Sequence, residues 1–140
     1  MPWILALTDK QRLLFRERGH VLAASLLQYL DARQPEAAAQ HLAEASGAAA
    51  ENGTLAATLG LSLSQTVEGF LRFRAPFHHE LAAAARRRGF DTPETTEVLQ
   101  AAERAMDKLL LATMTGHSRA QRKRRRPRGN ELRVGDERKA

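Results

Sequence analysis

The sequence contains no cysteine, few aromatic residues and no long apolar run. The absence of cysteine excludes disulfide scaffolds, iron–sulfur clusters, cysteine-based zinc sites and thiol nucleophiles. No apolar run approaches the ~20 residues of a membrane span. The apolar start at residues 3–7 is too short for a signal peptide and lacks a basic leader. We therefore expect a cytoplasmic protein with no membrane partner.

Strand-forming patterns are also scarce, because β-branched residues are few and no short segment alternates cleanly between apolar and polar residues. Alanine is abundant, and helix start and stop signals recur four times along the chain. The prediction is an all-α protein of four to five helices with short connections. These helices are expected to form an antiparallel bundle or to pack in a globin-like arrangement.

The first two helices have recognisable boundaries. Thr8 and Gln11 have the spacing of a capping box, which predicts a helix start. This helix is predicted to stop before Pro35, since proline disfavours helical geometry in the residue that precedes it. A second helix is predicted from Pro35 to about Leu59, with Gly60 at its end.

The second helix is so rich in alanine that its apolar face is shallow. Such a face either lets a neighbouring helix approach closely or leaves the helix loosely held. Asn52-Gly53 is a hairpin signal between strands, but here its flanks are rich in alanine. We interpret this dipeptide as a weak point, either a kink or a break into two shorter helices.

The last two helices are bounded in the same way. Ser62 and Gln65 form a second capping box, and Gly89 is predicted to be a left-handed cap at the end of the third helix. Thr92-Pro93 starts the fourth helix. Its apolar stripe runs out near Gly116-His117, where we expect it to end.

The charge of the chain is concentrated at its C-terminal end. The net charge is +6, and residues 119–140 hold ten basic and three acidic residues. Residues 1–118 hold 12 basic and 13 acidic residues and are nearly neutral. This asymmetry predicts a helical domain over residues 1–118 and a basic, disordered tail over residues 119–140.

The third and fourth helices resemble a known family. Their pattern is similar to the non-haem, globin-like N-terminal sensor domain of RsbR-type co-antagonists and related bacterial stress and transcription regulators. The resemblance rests on Gly60-Leu61-Ser62-Leu63-Ser64, Val67, Phe70-Leu71, Phe73-Arg74, Pro76, Arg88-Gly89-Phe90-Asp91-Thr92 and Asp107-x-x-Leu110. It implies a regulatory domain that dimerises and binds a signal or a regulatory protein partner, without catalysis.

The resemblance has one departure and one limit. Such domains usually precede an output domain, whereas here only the basic tail follows, so the chain is either a stand-alone protein or part of a longer regulator. No helix-turn-helix is recognisable, so direct reading of DNA is not implied. The surplus apolar surface of the predicted helices, including the stripe that Val21 widens in the first helix, favours a homodimer.

The basic run in the tail is the first candidate site. Its side chains are of the type that neutralises phosphates, with release of counterions. No aromatic residue is interleaved, so stacking on bases is not expected. A solvated tail, a nucleic acid and an acidic protein partner remain as alternatives. The candidate nucleic-acid-binding residues are Arg122, Lys123, Arg124, Arg125, Arg126 and Arg128.

The second candidate site surrounds Pro76. Pro76 lies inside the third helix and removes a backbone donor, which predicts a kink around Arg72–Ala75. This bend is expected to aim Phe73 and Phe77 into the core. Arg72 and Arg74 then either form a small anion or partner site, or pair with acidic residues such as Glu44 or Glu103.

The remaining polar residues suggest no cofactor, metal or catalytic site. His78 and His79 are adjacent, so on a helix they diverge by about 100° and are poorly placed to share a metal. No pair of histidines has the spacing of a helical metal site. Glycine-rich phosphate loops and recognisable nucleophile–base arrangements are missing. We therefore predict a protein that is not an enzyme.

Overall fold

Four helices make up the described part of the chain. The computed structural model describes the backbone of Trp3 and residues 7–139, and the side chains of Trp3 and residues 7–124. The helices are α1 (Asp9–Asp31), α2 (Pro35–Thr58), α3 (Leu63–Arg87) and α4 (Thr92–Lys139), and this part of the chain contains no strand. The all-α prediction is confirmed. Within the same residues, no helix combines the length and apolar character that a membrane crossing requires.

Reciprocal side-chain caps begin three of the helices, because the first turn of a helix leaves backbone N–H groups without partners. The Thr8 hydroxyl accepts a hydrogen bond of 3.1 Å from the Gln11 N–H, and the Gln11 side chain accepts one of 2.9 Å from the Thr8 N–H. The same exchange occurs in the pairs Ser62–Gln65 and Asp91–Glu94. The first two pairs were predicted, and the third was not.

Glycines with positive φ end α2 and α3, as the sequence predicted. Gly60 has φ +84° and Gly89 has φ +79°. After Gly60, the Leu61 N–H donates back to the Ala56 carbonyl at 2.9 Å, which satisfies a carbonyl of the last helical turn. The left-handed conformation that this geometry needs is the one that glycine adopts without a steric penalty.

The centre of the bundle is the interface between α2 and α4, where two backbones come into close contact. A Cβ at Gly53 would overlap the carbonyl oxygen of Thr113, and a Cβ at Gly116 would overlap that of Ala50. From Ala50 to Ala57 along α2, the partner on α4 moves from Gly116 to Arg124, so the two helices run in the same direction. Four fully buried alanines continue this interface: Ala45, Ala49, Ala102 and Ala105.

The predicted break at Asn52-Gly53 is wrong, and the alternative of a kink stays a prediction. Both residues lie inside a continuous α2, and Gly53 is buried against α4. The glycine is required because the facing backbone leaves no space for a side chain. Of the two interpretations of the shallow face of α2, close approach of a neighbouring helix is therefore confirmed.

The predicted end of α4 near Gly116-His117 is also wrong, because α4 continues to Lys139. Gly116 is a contact point with α2, and His117 is completely buried. Residues 119–124 are helical, where a disordered tail was predicted, and the proposed boundary between residues 118 and 119 falls within α4.

The outer helices flank this central pair, with α1 packed on α2 and α3 packed on α4. Arg18 of α1 pairs with Glu51 of α2 at 2.7 Å, and Arg88 pairs with Asp31 at 3.1 Å across the ends of α1 and α3. The core between the four helices is formed mainly by Leu22, Leu26, Phe70, Phe77, Leu81, Met106 and Leu109. Large apolar side chains thus fill the space around a centre made of small ones.

Pro76 lies inside α3, and the helix is continuous on both sides of it. The predicted kink stays a prediction. Phe77 is only 9% exposed and Phe73 packs against the core, so the predicted inward direction of both rings is confirmed. Their ring centroids lie 5.7 Å apart, within the range of favourable aromatic pairs.

Candidate functional site

A cavity of about 500 Å³ lies between α1 and α3. Its volume falls within the ~300–1,000 Å³ of typical small-molecule sites. The lining residues come from all four helices, from the α2–α3 turn and from the N-terminal segment: Trp3, Leu7, Arg12, Phe15, Arg16, Gly19, His20, Leu22, Ala23, Asn52, Ala56, Leu61, Thr66, Gly69, Phe70, Phe73 and Thr113.

The cavity exists because the two outer helices do not pack on each other directly. α1 contacts α2 and α3 contacts α4, whereas α1 and α3 have almost no direct backbone contact. Gly19 of α1 and Gly69 of α3 face this space without side chains. A Cβ added at Gly19 would have no neighbouring atom within 4 Å, so this wall of the cavity is open.

Aromatic rings form much of the wall. The chain has seven aromatic residues, and four of them line the cavity: Trp3, Phe15, Phe70 and Phe73. The ring centroids of Phe70 and Phe73 lie 6.1 Å apart at an interplanar angle of 56°. A Cβ at Gly69 would meet the Trp3 ring at 3.4 Å, so the indole lies against the backbone of α3.

Two polar atoms on the cavity wall have no protein partner. Trp3 Nε1 and Asn52 Oδ1 are buried and make no hydrogen bond. The hydroxyl groups of Thr66 and Thr113 are already used, because each donates to a carbonyl of its own helix at 2.8 Å. Both atoms have almost no accessible surface, so a molecule in the cavity would reach them only after side chains move, and leaving such groups unpaired costs free energy.

The charged side chains around the cavity have one sign. Arg12, Arg16 and His20 of α1 line it, and none of the described lining residues is acidic. Arg12 forms an ion pair with Asp9, which is almost fully exposed and does not line the cavity. Arg16 and His20 are exposed and lie four residues apart on the same side of α1, so basic side chains collect at this edge.

The residues of the predicted Pro76 site do not converge. Arg74 is 25% exposed and pairs with Asp107 of α4 at 3.1 Å. This is the expected pairing with a neighbouring helix, although the acid is Asp107 rather than Glu44 or Glu103. Arg72 is exposed, and on a helix residues two apart do not share a face. The anion or partner site at Arg72, Arg74 and Pro76 stays a prediction.

The basic run divides into residues with different surroundings. Arg122 and Lys123 are exposed on α4. Arg124 instead donates a hydrogen bond of 2.8 Å to the carbonyl of Ala57, in the last turn of α2. A cation at this position also interacts favourably with the negative end of the helix dipole. The predicted site residues Arg125, Arg126 and Arg128 lie outside the residues whose side chains are described.

The histidines do not form a metal site within the described chain, where no cluster of three or more metal-binding side chains occurs. His117 is the most deeply buried of them. Its Nε2 lies 2.7 Å from the Leu61 carbonyl oxygen and must donate, since a carbonyl only accepts. Its Nδ1 has no partner, and neither has the buried Nε2 of His78.

Sequence reasoning assigned Phe73 to the core and did not predict the cavity. The additional residues that form it are Trp3, Gly19, Asn52 and Gly69. One signal was available: Gly19 and Gly69 each lie within four residues of a phenylalanine on a helical apolar face. Small residues beside large rings leave space when two such faces meet.

The comparisons with known proteins identify no relative. A scan against models of protein families found no match, and searches of curated proteins and of solved structures found none that is significantly similar. The resemblance to RsbR-type sensor domains therefore stays a prediction.

Proposed function

We propose that this protein is a non-enzymatic regulatory protein of the cytoplasm that binds a small-molecule signal between α1 and α3. The observation that carries this proposal is the cavity of about 500 Å³, which has an aromatic wall and basic side chains on α1. Binding sites of this type are mostly apolar, with a few polar groups that orient the ligand. The predicted resemblance to bacterial sensor domains implies the same role.

A signal bound at this position would affect the relative placement of the outer helices. The cavity separates α1 from α3, whose backbones have almost no direct contact. A ligand that touches both helices therefore adds a connection between them. A ligand shifts a protein toward one conformation only if it binds that conformation more tightly than the other. Simultaneous contacts of the ligand with α1 and α3 would provide this difference in affinity.

The test is binding of 2-naphthamide, an uncharged aromatic probe. Trp3 is the only tryptophan, so its indole N–H gives a single signal in a nitrogen–proton NMR spectrum. We expect this signal to shift with probe concentration to saturation. Unfolding should also move to higher temperature, since a ligand that binds only the folded state stabilises it.

Two glycine variants provide a matched pair for this experiment. Gly19→Leu adds a side chain in open space beside the cavity, whereas Gly47→Leu adds one in open space on the exposed part of α2. Both should fold, because each replaces a helical glycine without a clash. Binding should be lost in Gly19→Leu and kept in Gly47→Leu. Equal binding by both variants, or no binding by the native protein, would overturn the proposal.

We also propose that the protein is a homodimer that binds a regulatory protein partner. Three large apolar side chains on one side of α1 support the dimer: Leu13 is 52% exposed, Val21 54% and Leu27 44%. The prediction that Val21 widens the buried stripe of α1 is wrong. Its exposure adds apolar surface that a second copy would cover.

Light scattering coupled to size-exclusion chromatography tests the dimer. We expect twice the chain mass of 15.5 kDa at high micromolar concentration, and the mass of a single chain for Val21→Arg. Leu111→Arg is the control, because Leu111 is a comparably exposed apolar residue on α4. A native protein that stays monomeric at this concentration would refute the dimer.

Nucleic acid is the second candidate partner, favoured by the exposed cations Arg122 and Lys123 on α4. Each phosphate contact changes the slope of log affinity against log salt by about 0.9 for duplex DNA. Replacing both residues by glutamine should therefore reduce the slope by nearly two. The control replaces the exposed pair Arg86 and Arg87 and leaves the same net charge. Absence of DNA and RNA binding at low salt would exclude this function.

A further inference from the structure

We infer that the ligand of the α1–α3 cavity is a planar aromatic carboxylate, with its ring among the aromatic side chains and its carboxylate at the Arg16 and His20 edge. This inference rests on the proposed function and names the chemical class of the signal. It depends on three features of the cavity wall, namely its rings, its glycines and the sign of its charges.

The rings and glycines favour a flat aromatic body. More than half of the aromatic residues of the chain line this one space. Phe70 and Phe73 already make an inclined ring pair, a geometry that accepts further rings by edge-to-face contact. Gly19 leaves open space on the α1 wall, whereas at Gly69 the Trp3 ring lies against the α3 backbone, so one wall offers space and the other an aromatic ring.

The charges favour an anion. Every ionisable residue on the described lining is basic, and all three lie on α1, where they are separated by one or two helical turns. The described lining that comes from α2, α3 and α4 contains no ionisable side chain at all. A ligand carboxylate is thus attracted to one edge and meets no opposing acid on the lining.

Calorimetric titration with three probes tests the inference: 2-naphthoate, the uncharged 2-naphthamide of the same shape, and decanoate as an aliphatic acid. We expect 2-naphthoate to bind about three- to fivefold tighter than 2-naphthamide, which is the size of a partly exposed ion pair. Decanoate should bind more weakly than 2-naphthoate. The preference for the charged probe should decline with added salt.

Arg16→Gln should abolish the preference for 2-naphthoate and leave the affinity for 2-naphthamide unchanged. The control is Arg104→Gln, which removes an exposed arginine of α4 that is not part of the cavity lining. Both substitutions change the net charge equally, so a difference between them reports the local contact. Phe15→Leu should weaken both naphthalene probes more than decanoate, because it removes a ring and keeps the site apolar.

The failure of this inference differs from the failure of the proposed function. If neither naphthalene probe binds, both are wrong. If 2-naphthamide binds as tightly as 2-naphthoate in the native protein, the cavity is a binding site and the anionic class is wrong. If decanoate binds most tightly, the aromatic class is wrong. A preference that Arg16→Gln and Arg104→Gln reduce equally would overturn the role of Arg16.

Discussion

The two sides of this bundle use glycine for opposite purposes. Between α2 and α4, Gly53 and Gly116 let two backbones approach until a single Cβ would overlap the facing helix. Between α1 and α3, Gly19 and Gly69 border a cavity of about 500 Å³. The same residue type therefore creates dense packing in one interface and open space in the other.

The difference shows how a small helical protein combines stability with a cavity. The α2–α4 interface is built from alanine and glycine and leaves few voids, and close packing of this type supports the fold. The large rings of α1 and α3 lie on the outer helices, where they form one wall of the core and one wall of the cavity. The α2–α4 pair thus holds the outer helices in position although their own backbones have almost no direct contact.

The largest expected loss of stability comes from adding a side chain where the backbones of α2 and α4 are in close contact. Gly53→Ala should destabilise the protein by about 3 kcal/mol, because its Cβ must displace the α4 backbone at Thr113. The control is Gly47→Ala, which has open space and should instead stabilise the helix by about 0.5–1 kcal/mol. Urea unfolding of both variants measures the contrast. A stable Gly53→Ala protein would mean that α2 and α4 are not in close contact.

A smaller loss of stability is expected from removing the hydrogen bond between α4 and the α2–α3 turn. His117→Leu keeps the approximate volume but leaves the buried Leu61 carbonyl without its donor, which should cost about 2 kcal/mol. His79→Leu is the control, because His79 is exposed, and it should change the stability by less than about 0.5 kcal/mol. Equal midpoints of thermal unfolding for the two variants would contradict the assigned hydrogen bond.

The next loss of stability tests whether the contact between α2 and α4 extends beyond Gly116. Arg124→Gln removes the bond to the Ala57 carbonyl and a cation from the end of α2, which should cost about 1 kcal/mol. Lys123→Gln removes a neighbouring exposed charge and should have almost no effect. The free energy of unfolding of the two variants, measured with denaturant, distinguishes these two effects. If both variants match the native protein, Arg124 contributes no stability and acts like a solvated tail residue.

The smallest effect concerns the ion pair between α3 and α4. A double-mutant cycle on Arg74→Ala and Asp107→Ala should give a coupling energy of about 0.5 kcal/mol, since Asp107 is largely exposed. The same cycle on Arg72 and Asp107 should give no coupling. A larger coupling for Arg72 would restore the interpretation that the arginines near Pro76 form a joint site.

Local signals in the sequence predicted the helix boundaries well. The pairs Thr8–Gln11 and Ser62–Gln65 cap their own helices, and Gly60 and Gly89 end theirs, because each of these interactions lies within a few residues. The fold class followed from the same signals. Such features are decided by neighbouring residues and need no knowledge of tertiary structure.

The predictions from the sequence were wrong where the structure depends on contacts between residues that are far apart in the chain. Gly53 was interpreted as a weak point and Gly116 as a helix end, yet both are required by the opposite helix. The cavity was missed for the same reason, because its walls come from four helices and from Trp3. The sequence predicted that Phe73 and Phe77 point inward but contained no information on the space beside Phe73.

The central claim is that the open side of the bundle is a ligand site, and a crystal structure of the protein soaked with 2-naphthamide tests it most directly. The account predicts a naphthalene ring between α1 and α3, bordered by Phe15 and Phe70, with the α2–α4 interface unchanged. A ring bound elsewhere on the protein, or α1 packed directly on α3 with no space between them, would contradict it.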